Sequence, residues 1–323
     1  MMKAAVVTES GLAVQEVPVP RPKPNEVLVR VRAASLNRAD LSVAAGHRHG
    51  AVGGPGAIPG LEWAGEVVET GAEVSGLRAG DRVMGAGSGA YAEYAVTDGG
   101  SAAPIPEGMS FETAATLSLA LRTMHDAIVT QARLAPGESI LIQGASSGVG
   151  LMGLQIARRL GASVVIGTST NPERRARLAE FGATLALDTS DPAWPEQARE
   201  ATGGKGVNVI IDQVSGAVAN ANMQAAAVLG RIVNVGRLGG ARAEFDFDLH
   251  ALKRISYIGV TFRTRSVEEV REINRRMRAD LWEAVAAGEL RVPFDSSYPL
   301  DAVADALARM RANQHFGKIL LVP

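Results

Sequence analysis

From Ser139 to Gly161 the chain reads SILIQGASSGVGLMGLQIARRLG: an apolar strand breaks at a run of glycines and small residues, then passes directly into a helix. Few architectures accommodate that stretch. A strand with no polar face has to lie inside a sheet that helices cover on both sides. Gly144, Gly148 and Gly150 stand at the break. There the chain must turn sharply, admit a ligand close to its backbone and let the helix pack against the strand. The start of the helix offers free N–H groups and the positive end of its dipole, which together attract an anion. The spacing G-x-x-x-G-x-G departs from G-x-G-x-x-G, with Ala145 in one glycine's place.

The segments that follow keep this rhythm. SVVIGT, TLALD, GVNVIID, RIVNVG and ISYIGVTF read as five further strands. PERRARLAEFG and AVANANMQAAAVLG read as helices between them. Six apolar strands separated mostly by helices imply an α/β domain with a doubly wound parallel sheet, the Rossmann arrangement of two βαβαβ halves. In that setting the glycine run reads as a pyrophosphate cradle, with a purely structural turn as the plainer alternative. Ser147, Gly148 and Val149 would present backbone groups to the pyrophosphate. An NAD site usually carries an acid at the end of the second strand, for the ribose 2′-OH. Here GTSTNPERR supplies Thr168, Ser169, Thr170, Arg174 and Arg175 instead. Hydroxyls and guanidinium groups suit a 2′-phosphate. NADPH is therefore the expected cofactor, with Thr168 and Arg174 meeting the adenosine phosphate; the alternative is a pair of exposed helix arginines.

Before residue 115 the pattern differs. KAAVV, EVLVRVRAAS, AGEVVETG and DRVMG are short strand-like runs punctuated by glycine and proline, which suggests a β-rich, barrel-like domain. FETAATLSLALRTMHDAIVTQA reads as one long helix, and the last strand, KILLV, is expected to rejoin the first domain. The expected division is 1–118, 119–265 and 266–323. The chain has no cysteine, which removes disulfides, thiolate nucleophiles and Cys-based zinc sites. A formal net charge of -1 without a basic stripe argues against nucleic acid. The chain has no apolar run long enough to span a membrane, and its N-terminal apolar run is too short for a signal peptide. A soluble, cytoplasmic protein acting on a small molecule is the expectation.

SLNRAD, IPGLEWAGEVVETGAEVSGLRAGDRVMG, AYAEYAV, GASSGVG, IVNVGRLGG and FGKILLV occur in that order, over nearly the whole chain. In this the sequence resembles the zinc-free quinone oxidoreductase branch of the medium-chain dehydrogenase/reductase superfamily. The resemblance implies a discontinuous GroES-like catalytic domain beside the Rossmann domain, and a homo-oligomer, commonly a homodimer or a tetramer, with the dimer expected here. Zinc-containing relatives bind their metal through a Cys in the early loop and a His just before the glutamate of the second motif. The matching places here are Asn37 or its neighbours and Leu61, so no metal site is expected; a set built from His47, His49 and Glu62 is the least favoured option. Without a Lewis acid to ionise an alcohol, hydride donation from NADPH to a quinone or an activated alkene fits better.

The resemblance sets Asn37 beside the nicotinamide, as a hydrogen-bond donor to cofactor or substrate, and Asp40 in the same motif, as a catalytic or a loop-fixing group. It sets Thr123 near the nicotinamide ribose, and the loop with Val235, Gly236 and Leu238 against the carboxamide. Phe262 and Arg263 would close the same pocket, unless these apolar positions are ordinary strand core. Tyr91 is a candidate proton donor, with a packed strand residue as its alternative. Ser42 and Ala44 replace the aromatic hydroxyl and arginine common in this branch, and His47, Arg48 and His49 follow as substitutes or as a surface loop. Lys318 is read as a surface lysine, with a contact to the 2′-phosphate as the alternative. Glu62 is read as a buried anchor paired with an arginine. Rival functions are a trans-enoyl thioester reductase and a non-catalytic NADPH-binding sensor or structural protein.

Overall fold

The structure, a computed structural model, describes residues 1–50 and 52–323. The chain separates into two compact units, Met1–Leu119 with Phe262–Pro323, and Ala120–Thr261. In chain order the elements are β1 (Met2–Thr8), β2 (Gly11–Val17), β3 (Glu26–Ser35), α1 (Arg38–Ala44), β4 (Glu62–Thr70), β5 (Arg82–Ala86), β6 (Tyr94–Asp98), β7 (Ala102–Pro104), α2 (Phe111–Ala114) and α3 (Ser118–His125). There follow β8 (Ser139–Ile142), α4 (Gly148–Arg159), β9 (Val164–Thr168), α5 (Pro172–Ala176), β10 (Leu185–Leu187), α6 (Trp194–Glu200), β11 (Val207–Asp212), α7 (Ala219–Ala225), β12 (Ala226–Asn234), α8 (Phe247–Lys253) and β13 (Ser256–Gly259). The chain ends with α9 (Val267–Ala286), β14 (Phe294–Pro299), α10 (Val303–Arg311) and β15 (Lys318–Val322).

The first unit is built on a sheet in the order β14-β15-β3-β4-β5-β7, with β6 also paired to β3 and a separate β1-β2 hairpin. β3 is its central member. Val27, Val29 and Val31 are buried while Arg30 and Arg32 reach solvent, the alternation of a strand with one covered face. Trp63, Val83, Tyr91, Ile319 and Leu321 fill the core around it. The last strand closes this sheet: Leu320 pairs with Ser35 and Leu321 with Ala34, antiparallel.

The second unit is a parallel sheet in the order β10-β9-β8-β11-β12-β13. Numbered within the unit, that is 3-2-1-4-5-6, the doubly wound order expected from the sequence. The order reverses between β8 and β11. The carboxyl ends of those two strands, at Gln143 and Asp212, are therefore where this fold binds its ligand.

Two helical expectations need correction. The long helix over residues 111–132 is interrupted. The Thr116 hydroxyl donates to the carbonyls of Thr113 at 2.7 Å and Val292 at 3.2 Å, and this side-chain competition ends α2 before α3 begins. After α3 the chain widens into a π-helical turn, Asp126–Gln131. The second case is AVANANMQAAAVLG, whose last five residues belong to β12. The Lys253 ammonium takes the carbonyls of Met223, Gln224 and Ala226 at 2.8, 2.6 and 2.7 Å, so α7 stops there.

β3 and β4 approach so closely that Gly65 has no room for a side chain. A Cβ there would lie 2.1 Å from the Arg30 carbonyl oxygen and 2.8 Å from Val29 Cγ1. Gly65→Ala is expected to destabilise the protein by about 1–3 kcal/mol, since strand backbone rather than a flexible side chain must yield. Urea unfolding of the variant checks this; an unchanged midpoint would refute the tight β3-β4 packing.

Candidate functional site

The ends of three adjacent strands in the first unit bring four polar side chains together. β15 begins at Lys318, β3 ends at Ser35 just before Asn37, and β4 begins at Glu62. The register makes them neighbours, because Ala34 pairs with Trp63 on one side and Leu321 on the other. Lys318 is 3% exposed and Glu62 0%. The Lys318 ammonium donates to Glu62 Oε2 at 2.5 Å and to Asn37 Oδ1 at 2.7 Å. Glu62 Oε2 also accepts from the Ser35 hydroxyl at 2.6 Å and from Asn37 Nδ2 at 3.3 Å. Glu62 Oε1 accepts the Leu119 N–H at 2.7 Å, in the first turn of α3. That is where a carboxylate is favoured by the helix dipole.

Glu62 is thus a buried anchor as expected, but its partner is a lysine. Lys318 is not on the surface and its ammonium is turned away from any phosphate role. The signal was present: one cation opens a buried apolar strand and one acid stands in another buried run, and neither is tolerable inside a protein alone.

Asn37 and Asp40 begin α1. Asp40 Oδ2 accepts the Asn37 N–H at 2.7 Å and the Tyr91 hydroxyl at 2.9 Å. Tyr91 is fully buried and lies under Gly60, where a Cβ would meet its ring at 2.5 Å. Burial pushes the Tyr91 hydroxyl well above its usual pKa, reinforced by the Asp40 charge and the hydrogen bond to it. The Tyr91 hydroxyl is committed to Asp40, and the pair links the 37–44 and 59–60 segments. Phe262 and Arg263 fall in this first unit as well, and the Arg263 backbone lies 3.2 Å from where a Gly50 Cβ would be. His49 is half-buried there, its pKa lowered by burial and by the Arg263 charge.

The second unit carries the glycine loop. Ser147 caps α4, its hydroxyl accepting the Gly150 N–H at 3.0 Å. The N–H groups of Gly148 and Val149 are first-turn donors with no carbonyl one turn back. Gly144 has a φ of +64°, and a Cβ on Gly150 would lie 2.6 Å from Ala145 Cα. Loop and helix therefore leave a bare backbone cradle, which fits a dinucleotide pyrophosphate. Thr168 is expected at the adenosine phosphate, yet it is 1% exposed. Its hydroxyl donates to Gln143 Oε1 at 2.8 Å and accepts the Gly144 N–H at 3.0 Å, so it holds the loop from beneath. Ser169 and Arg174 lie beyond it; Asn171 Oδ1 caps α5 by accepting the Arg174 N–H at 2.9 Å, and Arg175 pairs with Asp188 at 2.9 Å. Across the loop, Gln213 Nε2 donates to the Gln143 carbonyl at 3.0 Å. Val235 and Gly236 both donate their N–H to the Asp212 carbonyl, at 2.8 and 3.1 Å, while Leu238 is 55% exposed. Thr123, expected near the nicotinamide ribose, is buried within α3. Gln143, Gln213 and Asn222, the amide network under this loop, carry no motif and were not singled out from sequence.

A metal fits these residues poorly. Among the described residues no three His, Asp or Glu side chains form a metal-binding group. Both Glu62 oxygens are already taken, and Leu61 beside it offers no ligand atom.

Asp40 gives this site a pH signature. Burial raises its pKa from 3.8 to about 6, against the opposing pull of the Asn37 N–H, the Tyr91 hydroxyl and the Lys318 charge. Below pH about 4 the group is protonated whether folded or not. Between about 4 and 6 the unfolded chain gives up the proton that the folded chain keeps, so stability falls as pH rises, and above about 6 the loss is complete. Asp40→Asn should abolish that fall. Relative to the variant, the wild type is expected to lose about 2–3 kcal/mol between pH 4 and pH 7 in urea titrations; parallel curves would refute it.

Comparison with known proteins gives a consistent match. Residues 23–107 match the alcohol dehydrogenase GroES-like domain family, and residues 148–278 the zinc-binding dehydrogenase family. Quinone oxidoreductase-like protein 2 of Mus musculus is 31% identical over 323 residues, covering 99% of this chain and 91% of that protein. A mycocerosic acid synthase-like polyketide synthase of Mycolicibacterium smegmatis is 31% identical over 304 residues; this chain spans only 14% of that protein's length. Among solved structures, a quinone oxidoreductase of Pseudomonas syringae pv. Tomato DC3000 is similar with a TM-score of 0.87 at 28% identity, covering both chains fully. A mycobacterial protein solved in complex with NADPH gives a TM-score of 0.89 at 28% identity, again over both full chains.

Proposed function

The chain belongs to the medium-chain dehydrogenase/reductase superfamily, in its quinone oxidoreductase branch, and is an NAD(P)-dependent oxidoreductase; on that premise we propose that it is a zinc-independent reductase that takes NADPH and reduces a quinone or an α,β-unsaturated carbonyl compound. The observation that carries this reading is the state of Glu62. Its carboxylate is neutralised by Lys318 and saturated by hydrogen bonds, beside a leucine where a metal ligand would be needed. With no ligand set for a Lewis acid, an alcohol substrate would lack the means of ionisation. An acceptor that is electrophilic already does not require it.

A reduced nicotinamide supplies the hydride when bound. The residues of this chain bind and orient. The N–H groups of Gly148 and Val149 and the Ser147-capped end of α4 take the pyrophosphate. Arg174 takes the 2′-phosphate, while Thr168 and Gln143 fix the loop beneath it. Asn37, Thr123, Val235, Gly236, Leu238, Phe262 and Arg263 are the residues proposed around the nicotinamide and its acceptor. Solvent supplies the proton that completes the two-electron reduction, since Tyr91 is committed to Asp40. The protein is proposed to be a cytoplasmic homodimer, and among the described residues no helix is long and apolar enough to cross a membrane.

A second reading has one observation in its favour: the match to a 304-residue segment of a polyketide synthase. It makes the acceptor an α,β-unsaturated acyl thioester. Turnover of NADPH with quinones, enones, enals and enoyl thioesters separates the two. NADPH bound but oxidised by none of these acceptors would leave a non-catalytic NADPH-binding protein.

Binding titrations should find NADPH at least about tenfold tighter than NADH, a difference of about 1.4 kcal/mol. Arg174→Ala should narrow that gap by weakening NADPH alone; equal binding of the two cofactors by the wild type would sink the phosphate assignment. Metal analysis of purified protein should detect no stoichiometric zinc, and one zinc per chain would overturn the mechanism.

A further inference from the structure

Among the described residues Lys318 is the one lysine in the buried interior of either unit. The mechanism above does not use it, and holding strands together does not require it. An apolar pair of similar volume would secure β15, β3 and β4 as well as a buried ion pair does. What an apolar pair cannot do is give direction to an amide.

The Asn37 side chain lies between the two charges. Its oxygen faces the ammonium at 2.7 Å, and its nitrogen faces Glu62 Oε2 at 3.3 Å and the Ser35 carbonyl at 3.3 Å. An ammonium only donates and a carboxylate only accepts. Exchanging the amide oxygen and nitrogen would set donor against donor on one side and acceptor against acceptor on the other. The ion pair therefore selects one of two nearly isosteric rotamers. The same carboxylate takes the Leu119 N–H at 2.7 Å and so fixes the first turn of α3.

We propose that Lys318 is a positioning residue: through Glu62 and the Asn37 oxygen it locks the Asn37 amide so that its NH2 group, and not its oxygen, is the side held loosely enough to meet a ligand. This rests on the reading of Asn37 as a nicotinamide-side residue. The long 3.3 Å contacts of Nδ2 are the ones a ligand acceptor would replace, while the short contact to Lys318 stays.

The test uses Lys318→Gln/Glu62→Gln, which keeps size and hydrogen-bonding capacity but removes both charges, with Lys318→Met/Glu62→Gln as a second form should the first fold poorly. Thermal melting, fluorescence of bound NADPH and steady-state kinetics are measured together. The expected result is a melting temperature near wild type, kcat reduced about tenfold or more, and KM for NADPH changed by less than about threefold. On an Asn37→Ala background the same double change should cost less than about a further twofold, because the amide it acts through is gone. The emission of bound NADPH should change alike in the double variant and in Asn37→Ala. Unchanged kcat in a stable double variant, or penalties that multiply with Asn37→Ala, overturns the proposal. If the wild type binds NADPH but reduces no acceptor, the reductase reading fails, and the emission comparison alone decides the role of Lys318: matching changes support it and unchanged emission in the double variant overturns it.

Discussion

The ion pair between Lys318 and Glu62 organises the polar cluster of the first unit. Its members come from the last strand and from the strand after the first long loop, and they meet at the end of β3. Charges so buried are costly unless every donor and acceptor is answered. Glu62 has answers from Lys318, Ser35, Asn37 and Leu119. Those four donors lie on three different stretches of chain, so the pair forms only when all of them are correctly placed. It is a weak source of net stability and a strong source of specificity, because a shifted register in β15 would leave one charge inside without a partner.

Around this cluster the unit is braced by a second buried set, Asp40 with Tyr91 and the Asn37 N–H. The two sets share Asn37, whose backbone serves one and whose side chain serves the other. Ionisation of Asp40 is disfavoured by its surroundings, as its raised pKa records. The structure accepts that cost in a segment whose geometry is fixed from both ends, which is what a loop that positions a reactant requires.

The second unit solves its binding problem in another way. Its cradle is backbone: N–H groups at a helix start and glycines that leave space. Side chains work underneath, where Thr168, Gln143, Gln213 and Asn222 are tied to one another and to the loop. A connected polar network of this kind stiffens the loop above it. One unit thus offers fixed side-chain polarity, the other fixed backbone dipoles.

The sequence by itself determined the parts that rest on local pattern. Apolar runs and their spacing gave the six-stranded parallel sheet, and the glycine run gave the loop. Each of these is carried by consecutive residues, so each can be read without coordinates. The tertiary structure alone decided the pairing of Glu62 with Lys318, 256 residues apart, the burial of Tyr91 against Asp40, the inward turn of the Thr168 hydroxyl and the break in the helix at Thr116. The physical reason is common to all four. A polar side chain takes its role from whichever partner removes it from water, and that partner is chosen by strand register and packing between distant segments.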